Sequence, residues 1–169
     1  MNNIILIGMP ASGKSTAGVI LAKVMGKGFI DTDLVIQARE DMLLSRIISE
    51  RGVDAFLECE EAALMSVNVS DTVIATGGSA VYSERAMKHL SEGGTVVYLK
   101  VPKARLLDRL RDIQGRGVVM HDGETIDSIY DTRSVLYERY ADIIIDEEGL
   151  SIEQTVREIV QKTDHERNI

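Results

Sequence analysis

Residues 2–18, NNIILIGMPASGKSTAG, run from a short apolar segment directly into glycines, a lysine and two hydroxyl side chains. Residues 4–7 are apolar without alternation, which is typical of a strand buried on both faces of a sheet. Apolar residues then recur at helical spacing from Ala17 to Met25, and Gly26 ends the pattern. The stretch therefore predicts a strand, a glycine-containing loop and a helix, in that order.

The loop between these two elements fits the pattern G-x-x-x-x-G-K-[ST] over residues 8–15. Its glycines let backbone N–H groups surround phosphate oxygens, and a helix that begins near Gly13 directs its positive end toward the same charge. Lys14 would reach the β and γ phosphates of a nucleoside triphosphate, and the Ser15 hydroxyl would bind Mg²⁺. The alternative is a glycine-rich turn that binds nothing. The residues predicted to hold the nucleotide are Gly8, Ala11, Ser12, Gly13, Lys14, Ser15 and Thr16.

Length and composition indicate a single globular domain over residues 1–169. The chain is 44 % apolar and 27 % charged, and no apolar run reaches the roughly 18 residues of a membrane span. Lys and Arg number 19 against 27 Asp and Glu, so the net charge of −8 argues against nucleic acid as a partner. No export signal is recognisable, so we expect a cytoplasmic protein without a membrane partner.

Four further short apolar runs alternate with segments of helical spacing: residues 28–30, 73–75, 95–99 and 141–145. This alternation predicts a parallel sheet covered by helices on both faces, a three-layer α/β domain. Ligands of such domains bind at the carboxyl ends of the strands. Residues 112–123 contain three glycines and charges of both signs between two helical segments, which predicts a mobile loop.

Polar residues follow the second and third predicted strands. Asp31 and Asp33 are separated by one residue, so in an extended chain their carboxylates project to the same side. One could help to hold hydrated Mg²⁺ while the other accepts a proton from an attacking hydroxyl; the alternative is that Asp33 caps a helix that starts near Leu34. After the third strand, Gly77 and Gly78 either let a ligand approach the backbone or form a plain tight turn.

Together, the segments GMPASGKST, FIDTD, ATGGSAV and LYERYAD resemble the shikimate kinase family over essentially the whole chain and in the same order. The resemblance implies a P-loop kinase fold with a five-stranded parallel sheet and a lid over ATP at about residues 112–123. It also implies transfer of the γ-phosphoryl group of MgATP to the 3-hydroxyl of shikimate, a step of aromatic amino acid biosynthesis.

The same resemblance assigns a role to individual side chains. Lys14 and Ser15 become the phosphate and Mg²⁺ residues, and Asp31 an outer partner of the metal. Asp33 would hold the acceptor hydroxyl and act as its base. The remaining assignments are substrate contacts at Gly77 and Gly78, a lid arginine that reaches the transferring phosphate at Arg116, and a substrate-carboxylate arginine at Arg133. The alternatives are a solvated loop charge for Arg116 and a helix-surface partner of nearby acids for Arg133.

Two positions depart from the family pattern. Leu57 stands where the family has an arginine of the carboxylate clamp, and Ser79 stands where it has a third glycine. Losing one charged donor to a carboxylate costs about 1.5 to 3 kcal/mol, or roughly a ten- to hundredfold loss of affinity. The Ser79 side chain either crowds a cyclohexene ring or offers a hydroxyl to a different substrate. The nearby candidates to replace the missing arginine are Arg39, Arg46 and Arg51.

The sequence thus predicts a monomeric, Mg²⁺-dependent kinase of a small molecule, with shikimate as the leading acceptor. The first alternative is the same reaction on another small hydroxylated metabolite, for which Leu57 and Ser79 are the reason; a gluconate-kinase-like enzyme fits the DTD segment less well. The second alternative is a nucleotide-binding regulator without a metabolite substrate. It is disfavoured because no N-K-x-D motif occurs and the D-x-x-G at residues 146–149 follows the last strand.

Overall fold

The computed structural model describes residues 2–111 and 118–166. Its five strands form one parallel sheet in the order β2-β3-β1-β4-β5. The strands are β1 (Asn3–Ile7), β2 (Gly28–Asp31), β3 (Thr72–Ala75), β4 (Gly94–Lys100) and β5 (Ile143–Asp146). The predicted five-stranded parallel α/β fold is therefore confirmed, and each predicted strand lies within two residues of its observed position.

Helices cover both faces of this sheet. They are α1 (Lys14–Met25), α2 (Thr32–Glu40), α3 (Leu44–Ser66), α4 (Glu84–Glu92), α5 (Lys103–Arg111), α6 (Ile126–Tyr140) and α7 (Ile152–Glu166), with a 3₁₀ turn at Ala80–Tyr82. Ile4 and Leu6 of β1 belong to an apolar cluster with α1 and α7, whereas Ile5 and Ile7 belong to a second cluster with α3, α4 and α6. The alternation of side chains along a central strand thus builds a core on each face, which gives the three layers.

The edge of the sheet differs from the sequence prediction. Burial on both faces was expected for every strand, and β1 and β3 are buried throughout. Along β5, however, Ile143 and Ile145 are buried whereas Ile144 is 39 % exposed. Because β5 is an edge strand, helices cover one of its faces only in part.

The chain turns earlier than predicted after β2. Instead of an extended Asp31-Thr32-Asp33 segment, α2 begins at Thr32, directly after the strand. Asp31 is the N-cap, and its carboxylate accepts a hydrogen bond from the backbone N–H of Asp33 at 3.0 Å. The capping role that we considered for Asp33 therefore belongs to Asp31, because a residue just before the first helical turn can reach the free N–H groups of that turn.

The predicted lid falls only partly on described residues. Residues 112–117, which include Arg116, lie outside them, so the lid and the role of Arg116 stay predictions. Val118 and Val119 follow, and Val119 is buried. Among the helices of residues 2–111 and 118–166, none combines the length and the apolar character that crossing a membrane requires.

Candidate active site

A cleft of about 730 Å³ opens at the carboxyl ends of the strands, as expected for a parallel sheet. It is lined by the loop after β1, the start of α2, the loop after β3, and parts of α3 and α6. Apart from Gly8, all of the predicted site residues that the structure describes line this cleft. The fold thus brings together side chains that are separated by up to about 120 positions in the sequence.

The loop after β1 has the conformation that its glycines permit. Gly8 has a φ of 147°, and a Cβ atom there would lie 2.8 Å from the carbonyl oxygen of Leu99. Lys14 spans the loop, because its ammonium group donates to the carbonyl oxygens of Gly8 and Met9, each at 2.8 Å. Within the described residues, no side chain caps α1 at Gly13, so the N–H groups of its first turn are available to an anion.

Lys14 is buried although it is charged. Only 7 % of the residue is exposed. Burial lowers the pKa of Lys14 to about 8, and the nearby carboxylates of Asp33 and Asp31 oppose this shift. A phosphate group bound in the loop would add negative charge beside the ammonium and favour its protonated form.

The oxygen atoms of Ser15 and Asp31 meet at the rim of the cleft. The Ser15 hydroxyl donates to Asp31 Oδ2 at 2.6 Å. Hydroxyl and carboxylate oxygens are the hard ligands that Mg²⁺ prefers, and in kinases the phosphates of the nucleotide supply further oxygens. The two residues fit the predicted metal role.

Gly77 lies where two carboxyl groups converge. A Cβ atom on Gly77 would be 2.3 Å from Glu60 Oε1 and 3.0 Å from Asp33 Oδ1. Gly78 packs against the ring of Pro10, and its carbonyl oxygen accepts a hydrogen bond from the Tyr137 hydroxyl at 2.6 Å. The loop after β3 is therefore held close to both carboxyl groups, and the approach of a ligand to Gly77 and Gly78 stays a prediction.

This close approach makes Gly77 sensitive to substitution. We expect Gly77→Ala to raise the KM for the acceptor by more than about tenfold, since the new methyl group must displace two carboxyl groups of the site. The KM for ATP should change less, because the atoms nearest to this Cβ position belong to Glu60 and Asp33 and not to the phosphate loop. Steady-state kinetics of wild type and variant provide the measurement, with thermal melting to verify that the variant folds. An unchanged acceptor KM would contradict the placement of the acceptor beside Gly77.

Arg133 is a buried residue of the cleft wall and not a helix-surface partner of acids. It is 1 % exposed, its Nε donates to the Tyr82 hydroxyl at 3.0 Å, and its Nη2 donates to the carbonyl oxygen of Val119. Its guanidinium also lies over the Tyr82 ring. Nη1 has no hydrogen-bond partner among the described residues. A buried cation with an unused donor beside a cleft is suited to bind an anionic group of a ligand.

The structure places Leu57 outside the cleft. Leu57 lines a separate pocket of about 430 Å³ on the other side of Glu60 and Ser79. Two of the arginines considered as replacements form surface ion pairs instead, Arg46 with Glu50 and Arg51 with Glu40. Neither they nor the exposed Arg39 line the cleft. Among the described residues, the arginines that line the cleft are Arg109 and Arg133.

Two side chains of the cleft were not predicted from the sequence as site residues. Arg109 donates to the carbonyl oxygen of Ala11 at 3.0 Å, beside the phosphate loop. Glu60 is 2 % exposed, and burial raises the pKa of its carboxyl group to about 7. Glu60 had a detectable signal, because it shares helical spacing with the buried Phe56 and Leu64 on α3. A charged residue on an apolar face is worth examining as a site residue.

Known proteins are similar to this chain over nearly its whole length. The sequence model described as shikimate kinase matches residues 10–164. A shikimate kinase from Thermodesulfovibrio yellowstonii is 33 % identical over 165 residues, which cover 96 % of this chain and 95 % of that protein.

Solved structures are similar over the same length. Shikimate kinase from Acinetobacter baumannii in complex with shikimate superposes with a TM-score of 0.85 at 26 % identity, covering 95 % of this chain and 92 % of that one. Shikimate kinase from Aquifex aeolicus gives a TM-score of 0.84 at 29 % identity, with 98 % of each chain covered. With a matching sequence model, a matching fold and a phosphate loop facing a carboxylate and a buried arginine, the chain belongs to the shikimate kinase family.

Proposed function

We propose that this protein transfers the γ-phosphoryl group of ATP to the 3-hydroxyl of shikimate, giving ADP and shikimate 3-phosphate for aromatic amino acid biosynthesis. The observation that carries the proposal is that one cleft is lined by the phosphate loop with Lys14, by Asp33 and by Arg133. The shikimate complex of the Acinetobacter baumannii relative supports the choice of acceptor.

Each polar residue of the cleft then has a separate task. The N–H groups of the loop and the Lys14 ammonium hold the phosphates and stabilise the charge that develops on the transferring group. Asp33 orients the acceptor hydroxyl and takes its proton as the oxygen attacks. Arg133 binds the carboxylate of the acceptor through its unused donor. Arg116 is proposed to close over the transferring phosphate as part of a lid at residues 112–123.

Ser15 and Asp31 would hold Mg²⁺, which supplies positive charge next to the phosphate oxygens. The remaining tasks belong to side chains of the protein itself. We also propose that residues 1–169 act as one monomeric, cytoplasmic kinase domain, without nucleic acid or membrane as a partner.

A coupled assay of ATP consumption with shikimate and a panel of hydroxylated acids, sugars and polyols tests the function. Shikimate is expected to give the highest kcat/KM. Efficient turnover of another acceptor, with shikimate near background, would favour the second candidate, a kinase of a different small hydroxylated metabolite. The observation that favours this second candidate is that Leu57, which replaces the arginine of the carboxylate clamp, lies outside the cleft. ATP binding without turnover of any acceptor would point to a nucleotide-binding regulator.

The metal assignment predicts the behaviour of Asp31→Asn. Replacing the carboxylate by an amide removes a negative charge near the cation, so the Mg²⁺ concentration for half-maximal activity should rise by about tenfold. Activity at saturating Mg²⁺ should recover most of the wild-type value. Asp146→Asn, at the end of β5 and outside the cleft, is the matched control. The same Mg²⁺ dependence in wild type and Asp31→Asn would refute the assignment.

A further inference from the structure

Ala11 of the phosphate loop has a backbone conformation that residues with a side chain rarely adopt. Its φ is 62°, in the left-handed region that favours glycine. Residues 9–12 form a tight turn, because the N–H of Ser12 donates to the carbonyl oxygen of Met9 at 3.1 Å. Proline in the second position and a positive φ in the third are typical of a type II turn, which favours glycine where this chain has alanine. The loop therefore depends on contacts that hold Ala11 in this conformation.

One such contact comes from α5. Arg109 donates through Nη1 to the carbonyl oxygen of Ala11 at 3.0 Å. The same nitrogen lies 4.0 Å from the position that a Cβ atom on Gly13 would take. The guanidinium group is therefore close to the loop at two points, the strained residue and the residue before the first turn of α1.

A buried carboxylate is paired with Arg109. The side chain of Glu147, directly after β5, is 4 % exposed, and its Oε2 is 3.9 Å from Arg109 Nη1. Its Oε1 is buried and has no hydrogen-bond partner within residues 2–111 and 118–166. Burial raises the pKa of Glu147, whereas the positive charges of Arg109, Arg105 and Lys14 lower it. Glu147 does not line the cleft, so a ligand in the cleft meets its neighbours and not Glu147 itself.

The backbone of Glu147 is fixed on both sides. Its N–H donates to the carbonyl oxygen of Lys100 at the end of β4, and its own carbonyl oxygen accepts from Arg105 Nη1, each at 2.9 Å. Arg105 and Arg109 are four residues apart on α5, so they lie on the same face of that helix. A series of contacts thus runs from the sheet through Glu147 and Arg109 to Ala11.

We propose that Glu147 is a positioning residue for nucleotide binding: it holds the Arg109 guanidinium against the Ala11 carbonyl oxygen and so keeps the phosphate loop in its binding conformation before ATP arrives. Without these contacts, Ala11 would return to a negative φ in most molecules. The apparent affinity for a ligand falls with the fraction of molecules that is competent to bind it. The inference rests on the proposed function, because it takes ATP as the ligand of the loop.

Glu147→Met removes both carboxylate oxygens and keeps the length of the side chain. The Kd for ATP should rise by about five- to tenfold, as expected when an alanine is released from the left-handed region. At saturating ATP all molecules have the binding conformation, so kcat should stay within about twofold of wild type. Glu147→Gln, which retains a carbonyl oxygen, should lie between the two. Unchanged or tighter ATP binding in Glu147→Met would mean that the carboxylate only repels the phosphates, and would overturn the inference.

Amide hydrogen exchange of Ser12 in the ligand-free protein provides a measurement that does not depend on activity. This N–H closes the turn around Ala11, so its exchange should be about five- to tenfold faster in Glu147→Met. The amides of β1 should keep their wild-type rates. If they accelerated by the same factor as Ser12, the variant would be generally destabilised and the positioning role would be contradicted. Glu148→Met is the matched control, since Glu148 is the next residue, is exposed and does not line the cleft; it should change neither quantity.

Ala11→Gly separates an effect on the loop from any other effect of Glu147. Glycine adopts a positive φ without strain, so the loop then depends less on Arg109. In the Ala11→Gly background, Glu147→Met should therefore raise the Kd for ATP by less than about twofold. The full five- to tenfold effect in that background would show that Glu147 does not act through Ala11, and the inference would be wrong.

These measurements separate the inference from the proposed function. If wild-type protein bound ATP and phosphorylated shikimate while Glu147→Met matched it in Kd and in exchange, the inference alone would fail. If wild-type protein bound ATP without turning over shikimate, the proposed acceptor would be wrong, and the same comparison of Kd values would still decide the inference. Absence of ATP binding by wild-type protein would refute both.

Discussion

Lys14→Met is expected to lower kcat by about a hundred- to a thousandfold, the typical effect of removing one charged donor that stabilises a transition state. The Lys14 ammonium lies in the middle of the phosphate loop, bonded to the carbonyl oxygens of Gly8 and Met9. From there it reaches the oxygens that gain charge as the γ-phosphoryl group leaves ADP. Methionine keeps most of the apolar contacts of the side chain and removes the charge.

The variant also loses the internal donors of the loop. The carbonyl oxygen of Gly8 then loses its Lys14 donor, whereas that of Met9 still accepts from the backbone N–H of Ser12, so we expect thermal unfolding to show a loss of about 1 to 3 kcal/mol of stability. Single-turnover kinetics with saturating ATP and shikimate separate the chemical step from binding. Lys23→Met, exposed on the same helix, is the control and should retain wild-type kcat. Full activity of folded Lys14→Met would show that the loop does not hold the transferring phosphate.

Asp33→Asn should lower kcat by about 10² to 10⁴, the range for loss of a general base. The amide has nearly the same size as the carboxylate, so the variant should fold and bind ATP as wild type does. Asp33 lies at the start of α2, on the same side of Gly77 as the proposed acceptor. The chemical step is affected because an amide cannot take the proton of the attacking hydroxyl.

Nucleotide affinity and turnover are measured on the same preparation to separate these effects. Asp41→Asn is the matched control: it makes the same chemical change at the exposed C-cap of the same helix, where asparagine tolerates the positive φ of 50°. It should leave both quantities unchanged. Wild-type kcat in Asp33→Asn would assign the proton acceptor to another group, and loss of ATP affinity would indicate a role in the nucleotide site.

The phosphate loop and the sheet are determined largely by short-range pattern. The strand, the loop of residues 8–15 and the helix that follows are adjacent in sequence, and the conformation of the loop depends on its own glycines. The five apolar runs likewise predicted a parallel sheet, and hence the end at which ligands bind, because strands buried on both faces are continuous apolar segments. Their place in the cleft was predictable too for Asp31, Asp33, Gly77 and Gly78, because these residues lie at the end of a strand or just after it.

Tertiary structure decided what surrounds the acceptor. From the sequence, Arg133 could lie on the surface of a helix or in the site. The packing of α6 against the 3₁₀ turn and Val119 buries it beside the cleft. The Ser79–Glu60 contact joins residues 19 positions apart on different elements, and the placement of Leu57 in a separate pocket depends on how α3 packs. The burial and the raised pKa of Glu60 arise from contacts between distant segments, and so does the position of its Oε1, which has no hydrogen-bond partner among residues 2–111 and 118–166. A sequence pattern reports only which residues share a face of their own helix or strand, whereas the chemistry of the acceptor site depends on which faces meet.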